Sequence, residues 1–462
     1  MSDSFVFDLI VIGAGPGGHA LAEHAARYGA RTAIIEKNLW GGTCTHRGCI
    51  PTKALLACSK HYADLKKMKR LGISVGESSF DFDAMKRHQQ QMVRISALGV
   101  EKSLREAGVV MKTGVGKLLS PGEVRCTDAD GNVDMLQGKH IAIAWGSEPA
   151  LLPGVATSQR VLTSDGFLQL QALPEDVLIV GGSVIGVEFA TLLAELGVKV
   201  TLIELLGQLL PYEDEDAAIV VKQELIRLGA AIHTSSRLTG ILDTQDGIRA
   251  VIVQNGRDFE IKAEAALICA GRKPRLCHDD LDRLGVRHDP TGIRVDARQM
   301  TNIQGIYAIG DVTGGAMLAH RAMQQGKVLA RLLFGDGSLV YSDAAVPSVV
   351  YSHPQVAHVG VTEKEAFRQG LAIEVVRSDY GANIIARTEL MGQGFVKVLF
   401  HGDKLIGATL VGDHAADLIA SLALAVANGL GKKELDKWVI PHPTLGEALA
   451  LPPAAGKKKQ RG

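Results

Sequence analysis

Neither sign of charge predominates in this chain of 462 residues: 50 Lys and Arg stand against 50 Asp and Glu. That balance removes the electrostatic case for nucleic acid or an anionic membrane as the main partner. No run of about 18 uncharged apolar residues occurs, so no membrane-spanning helix is expected. Aromatic residues are scarce, at 5%. Six cysteines in a chain of this length do not make a secreted disulfide scaffold. No basic region or cleavage site precedes the first apolar stretch at residues 7–12, so a cytoplasmic location, or a matured organelle protein, is expected. The basic end, GKKKQRG, reads as a solvated tail, with 451–462 flexible.

Glycine is what the chain has in quantity, 52 residues. With few aromatics, this suits an α/β protein with many tight strand–helix turns. The length allows three or four domains. An internal echo organises them. The first copy runs from an apolar strand at 8–12 through Gly13, Gly15 and Gly18 into a helix, then a second strand ending at Glu36. The second repeats this with Gly181, Ser183 and Gly186, ending at Glu204. Each is a βαβ unit of about 30 residues. The first glycine permits the tight turn, the second lets backbone approach a pyrophosphate, and the third lets helix and strand pack closely. The terminal carboxylate is placed for a ribose 2′-OH. One such glycine pattern is weak, but two, each bracketed by strands and closed by Glu, are strong together. Ser183 departs from the strict pattern and crowds the pyrophosphate slightly. Glu204, followed by Leu205, Leu206 and Gly207 with no Arg nearby, favours NAD over NADP, because a 2′-phosphate would meet a carboxylate.

Cys44 and Cys49 lie between Gly41 and Lys53 in GGTCTHRGCIPTK. Pro51 suits the first turn of a helix. Cys49 therefore sits near a helix N-terminus, where the dipole favours thiolate. Spacing alone leaves open a structural disulfide, half a zinc site or a redox pair. No further cysteine pair or Cys/His cluster completes a zinc set. Cys58, Cys126, Cys269 and Cys277 carry no motif. Near the end, VIPHPTLGE places Glu447 five residues after His442, a pairing that orients an imidazole and supports its protonated form.

The pattern GGTCxxxGCIPxK closely resembles the redox-disulfide segment of the flavin-dependent pyridine nucleotide–disulfide oxidoreductases, and HPTLxE resembles that family's C-terminal catalytic signature. The resemblance extends over residues 5–447. It implies an α/β fold with two Rossmann-like nucleotide-binding domains, for FAD and NAD, and a C-terminal α+β dimerisation domain. The implied domains are 1–149 (FAD, with the disulfide), 150–274 (NAD), 275–343 (FAD and central) and 344–450 (dimerisation). It also assigns the cofactors. FAD falls to Gly13, Gly15, Gly18, Glu36, Gly42, Thr43, Lys53, Gly116, Asp311 (in GIYAIGD) and Ala319. NAD falls to Gly181, Ser183, Gly186, Glu188, Glu204, Gly271 and Arg272. Lys53 is expected to pair with Glu188, although an ordinary reading makes one a surface lysine and the other a solvated helix residue. Cys44, Cys49, His442 and Glu447 are implied as catalytic, with no metal.

Within the family the resemblance is nearest to the branch that oxidises dihydrolipoamide with NAD⁺. It implies an obligate homodimer with shared active sites, working on lipoyl domains of 2-oxo acid dehydrogenase or glycine cleavage complexes. Glutathione-reductase-like and mercuric-reductase-like enzymes are the alternatives. Glu204 argues against the first, and the lack of a cysteine pair after Glu447 against the second. Thr45, His46 and Arg47 replace the more usual residues between the cysteines and are expected to add positive charge beside them. Trp145, Arg275 and Ile440 also depart from the pattern. Two amphipathic helices are expected at 61–70 and 82–106, antiparallel strands around 346–363 and 394–399, and an interface helix at 415–428.

Overall fold

The computed structural model of the chain describes residues 6–450, apart from 340 and 392. The expected tail, 451–462, lies outside the described residues. The fold is α/β, with the two glycine-loop units at its centre. In the first sheet the parallel strands lie in the order Val110–Thr113, Thr32–Glu36, Val6–Ile12, Val133–Ile143, with Ile306–Ala308 beyond. In the second the order is Ala231–His233, Lys199–Ile203, Asp176–Val180, Ala265–Ile268, Val161–Thr163. Corresponding strands take corresponding places, so the sequence echo is an architectural repeat.

From Leu9 and from Val177 onward both central strands are continuous apolar runs, as strands covered on two faces require. Successive side chains point to opposite faces. Val177 and Ile179 therefore enter one core cluster, and Leu178 and Val180 another. Leu9 and Val11 part from Ile10 and Ile12 in the same way. The chain leaves the first unit along Ser147–Pro149 and returns along Arg272–Pro274. These two strands pair antiparallel, clipping the exit to the return.

The helix Pro16–Arg27 packs on the helix Ala319–Phe334. The close approach needs Gly326, where a Cβ would stand 2.5 Å from the Gly17 carbonyl oxygen. The C-terminal sheet is antiparallel, in the order Ser348–Val350, Gln355–Gly360, Lys404–Gly412, Phe395–His401, Glu374–Asp379. The helix Ala415–Ala427 lays Ala415, Ile419, Leu422 and Ala425 on it and leaves Leu424 exposed. Buried Lys397 holds this sheet to the second unit, with Nζ 2.6 Å from Asp214 and 2.9 Å from Asp216. A third carboxylate, Glu363, lies 2.5 Å away.

One expected element differs. Residues 61–70 are no separate helix: they finish the helix Cys49–Asp64 and continue as the 3-10 turn Leu65–Leu71. Lys60 and Lys67 both reach Asp64 at 2.7 Å, so the charges tie this junction together rather than defining a new amphipathic face. The helix Phe82–Glu106 forms as expected. Among the described residues no helix is long and apolar enough to cross a membrane.

Candidate active site

The two glycine loops have the same construction. Gly13 and Gly181 share φ of +109°, and a Cβ on either would lie 2.3 Å from a neighbouring carbonyl oxygen. At Gly18 and Gly186 a Cβ would lie 1.9 Å from the oxygen of Gly13 or Gly181. The middle position differs. Gly15 has φ −65°, open to any residue, and nothing lies within 4 Å of its added Cβ. The protein itself therefore tolerates Ser183, which takes the same extended conformation as the N-cap of the helix Val184–Glu195 without using its hydroxyl as a cap. The first N–H groups of each helix have no carbonyl partner within the helix, which is what a pyrophosphate needs.

The terminal carboxylates close these loops. Glu36 Oε2 accepts the Ala14 N–H at 2.8 Å, and Oε1 accepts those of Asn38 and Leu39. Glu204 Oε2 accepts the Gly182 N–H at 2.7 Å, and Oε1 accepts that of Leu206 at 2.8 Å. A carboxylate has about four acceptor positions, so each retains capacity for a ribose hydroxyl.

Gly41 and Gly42, with φ of +99° and +61°, turn the chain back over the first loop. A Cβ on Gly42 would lie 2.7 Å from the Gly15 Cα. This brings the helix Gly42–Arg47, with Thr43 and Cys44 in its first turn, to the mouth of the loop. Cys49 is the first residue of the following helix, Cys49–Asp64. Both thiols are half-buried and unbridged, so this is the dithiol form. The hydrogen bond from Cys44 is the main influence on Cys49. Burial opposes it and Lys53 assists it, and together they bring the Cys49 thiol down to about 7. The same bond, with burial, pushes Cys44 up. The place of Cys49 at the N-terminus of its helix acts in the same direction, so of the two sulfurs Cys49 is the one favoured as thiolate.

Lys53 and Glu188 meet. Lys53 Nζ donates to both carboxylate oxygens, at 2.9 and 2.8 Å, and lies 4.6 Å from the Tyr351 ring centroid. Glu188 is 3% exposed and also accepts the Tyr351 N–H at 3.0 Å. The ordinary solvated reading of Glu188 therefore fails. Two helical turns on, buried Glu195 repeats the arrangement. It accepts from Ser59 Oγ at 2.6 Å and pairs with His353 Nδ1 at 2.8 Å. Sequence reasoning missed Tyr351, Glu195, Ser59 and His353. The available signal was two acids seven residues apart on a helix otherwise apolar on all faces.

The positive charge expected from His46 and Arg47 is directed elsewhere. The His46 ring pairs with the Trp40 carbonyl at 2.9 Å, and Arg47 lies 3.9 Å from Asp165. Lys53 is the cation the thiols feel. Thr45 is buried. Gly116 packs under Ile12 and Ile35, where a Cβ would lie 2.8 Å from Ile12. Asp311 lies in the 3-10 turn Gly310–Thr313 and accepts from Ser147 Oγ at 2.6 Å. Arg272 Nε donates to that same Ser147 oxygen at 2.8 Å, so Gly271 and Arg272 belong to the clip between the units. Ala319 begins its helix beside this turn.

His442 Nδ1 pairs with Glu447 Oε1 at 2.9 Å, and Glu447 Oε2 accepts the Thr444 N–H at 3.0 Å. That backbone bond, then the histidine, hold the Glu447 carboxyl below its usual range. Asn383 anchors the loop through the Thr444 carbonyl. The imidazole itself is 75% exposed and, among the described residues, bonds only Glu447. It is oriented by Glu447 and presented to solvent.

A polarised dithiol at a dinucleotide loop, cross-linked to a second such loop, defines a thiol–disulfide oxidoreductase using two dinucleotides. Residues 7–326 match the model of the pyridine nucleotide-disulphide oxidoreductases, and 346–452 match that family's dimerisation domain; the chain belongs to this family. It is 36% identical over 447 residues to a dihydrolipoyl dehydrogenase of Chlorobaculum tepidum, covering 96% of this chain and 95% of that one. It is 33% identical over 443 residues to one of Geobacillus stearothermophilus, covering 95% and 94%. Among solved structures, LpdA of Mycobacterium tuberculosis superposes with a TM-score of 0.89 at 28% identity, over 96% of this chain and 98% of that one. The cofactors are FAD and NAD(H). The open space over Gly15, the matching extended conformation of Ser183, and the spare acceptor positions of Glu36 and Glu204 fit two dinucleotides.

Proposed function

We propose that this chain acts as a dihydrolipoyl dehydrogenase, oxidising protein-bound dihydrolipoamide to lipoamide and reducing NAD⁺. The observation that carries the reading is the polarised pair Cys44–Cys49, backed through Lys53 by buried Glu188 of the second dinucleotide unit. The relatives' names agree with it.

The residues divide the work as follows. In the oxidised enzyme Cys44 and Cys49 form a disulfide. His442 of a neighbouring copy, held by Glu447, takes the proton from one substrate thiol. The substrate thiolate attacks the Cys44 sulfur. The disulfide breaks, and Cys49 leaves as thiolate at its helix N-terminus, with Lys53 supporting the charge. The second substrate sulfur attacks the first as its proton passes to the departing Cys44 sulfur, so the mixed disulfide breaks and cyclic lipoamide and the Cys44 thiol are released, with the first proton still on His442. This leaves the dithiol form with its two electrons. Bound FAD would supply the two-electron acceptor that links this dithiol to NAD⁺. Gly13, Gly15, Gly18, Glu36, Gly42, Thr43, Gly116, Asp311 and Ala319 would hold the flavin nucleotide. Gly181, Ser183, Gly186 and Glu204 would hold NAD, with Gly271 and Arg272 at the clip.

The reading includes a homodimer with shared active sites, since His442 faces outward from its own chain. It also includes lipoyl-domain partners, a cytoplasmic setting and the division 1–149, 150–274, 275–343 and 344–450. The test is a comparison of substrates on the purified yellow protein. Dihydrolipoamide with NAD⁺ should be turned over at least 100-fold faster than glutathione disulfide or mercuric ion with NADPH. Equal or reversed rates would overturn it.

A further inference from the structure

In the first unit, the short helix His278–Leu284 precedes the strand His288–Asp289. His278 and Asp282 stand one helical turn apart on one side of the helix, facing His288. Donor atoms of the three side chains all lie within 4.8 Å of one another. His278 Nδ1 and His288 Nε2 are 3.0 Å apart, and Asp282 Oδ1 is 3.7 Å from His288 Nε2.

We propose that His278, Asp282 and His288 form a site for a transition-metal dication such as Zn²⁺ or Cu²⁺. The second nitrogen of His288 decides its tautomer. Nδ1 lies 3.0 Å from the Val286 carbonyl oxygen, which only accepts, so Nδ1 carries the proton and Nε2 presents a lone pair. A backbone carbonyl behind a ligating imidazole is the usual support of a metal-bound histidine. The two rings share a hydrogen bond at 3.0 Å; two nitrogens about 2.0–2.1 Å from a tetrahedral ion lie about 3.3–3.4 Å apart, so an ion would replace that bond with the rings parting by only a few tenths of an ångström. The ring planes are tilted by 48° with centroids 5.1 Å apart, so the nitrogens converge rather than the faces. Asp282 is paired with no Lys or Arg among the described residues, leaving its charge for an ion. Two imidazoles and one carboxylate select a borderline dication over Ca²⁺ or Mg²⁺. Solvent completes the coordination.

The site would act as a clamp. Leu281 and Val286 are buried in the core of the first unit. The adjoining hairpin presses on the turn that carries Asp311: a Cβ on Gly292 would lie 2.6 Å from the Thr313 carbonyl carbon. An ion joining helix to hairpin stiffens the support of that turn.

The test uses untagged, oxidised holoenzyme, in which Cys44 and Cys49 are bridged and do not compete. Calorimetric titration with Zn²⁺ should show one saturable equivalent, and the Cu²⁺ form should show nitrogen couplings from two imidazoles by electron paramagnetic resonance. His278→Gln, at an exposed position, should weaken binding at least tenfold. His278→Gln/His288→Gln should abolish it, while His401→Gln leaves it unchanged. Zn²⁺ should raise the unfolding temperature of the wild type and of His401→Gln, and leave that of the double variant unchanged. No saturable binding, or equal binding by the double variant, would overturn the proposal. NADH oxidation with an artificial acceptor, unchanged in His278→Gln, verifies that this variant is folded.

Discussion

Removing Lys53 and removing the charge of Glu188 should affect the fold in the same direction and the thiols in opposite directions. Glu188 is buried and holds three hydrogen bonds, two of them from Lys53. Lys53→Met leaves that carboxylate with only the Tyr351 N–H. Breaking a buried pair on one side costs about 3–5 kcal/mol, and Lys53 is partly exposed, so about 3 kcal/mol is expected. Glu188→Gln retains shape and an acceptor for Tyr351, and should cost about 1–2 kcal/mol. At Cys49 the two charges oppose each other: Lys53 favours thiolate and Glu188 disfavours it. The titration midpoint of Cys49, about 7 in the dithiol enzyme, should therefore rise by roughly 1–2 pH units in Lys53→Met and fall in Glu188→Gln. Thiolate is present above the midpoint, so at pH 7.5 the first variant loses most of it and the second gains. The assay is the pH dependence of long-wavelength absorbance in the two-electron-reduced holoenzyme, with urea unfolding of the same samples. The double variant should recover part of the stability lost in Lys53→Met, since contacting residues couple. Midpoints moving the same way in both single variants would refute the reasoning, because the ion pair would then act on the thiols only by holding their helix in place.

Other residues give sharper yes-or-no outcomes. His442→Ala should lower dihydrolipoamide oxidation at least 100-fold while sparing NADH-driven reduction of artificial acceptors; equal loss of both would make the histidine structural. Cys49→Ser should abolish the long-wavelength band of the reduced enzyme, and loss of that band in Cys44→Ser instead would exchange the two roles. Glu204→Ala should lower the NAD-over-NADP preference at least tenfold in kcat/KM, equivalent to about 1.4 kcal/mol, by removing a carboxylate that a 2′-phosphate would face. An unchanged ratio would place the discrimination elsewhere.

The parts of this protein that could be read from sequence are those whose chemistry is local. A glycine at φ +109° whose Cβ would strike backbone admits no substitute, so Gly13 and Gly181 announce their loops. A cysteine opening a helix, or a histidine a few residues from its glutamate, also needs only neighbours in the chain. What could not be read depends on partners far apart in sequence. Ser59, Glu195 and His353 belong to three separate segments, and none has a motif. Lys397 looks like one charge among many until three carboxylates from two other segments converge on it. The charges of His46 and Arg47 misled for the same reason: their direction is set by the Trp40 carbonyl and by Asp165 of the second unit.

The two buried glutamates show why the motifs work only as an assembly. Glu188 and Glu195 lie on one face of the helix Val184–Glu195, and each joins the same two partners, the redox helix on one side and the 351–353 segment on the other. Apolar side chains at these positions would pack against an already apolar helix without the desolvation that buried ions incur, and such replacements are often stabilising. Stability therefore does not account for the acids. Hydrogen-bond geometry does, because an apolar contact tolerates sliding and a carboxylate gripped from two sides does not. Two such grips, two turns apart, fix both the axial position and the rotation of the redox helix. Cys49 opens that helix, and its thiolate is stable only where the helix N-terminus, Cys44 and Lys53 converge on it. The second dinucleotide unit and the C-terminal sheet thus contribute to the thiol chemistry without touching a sulfur, by holding the helix that presents it.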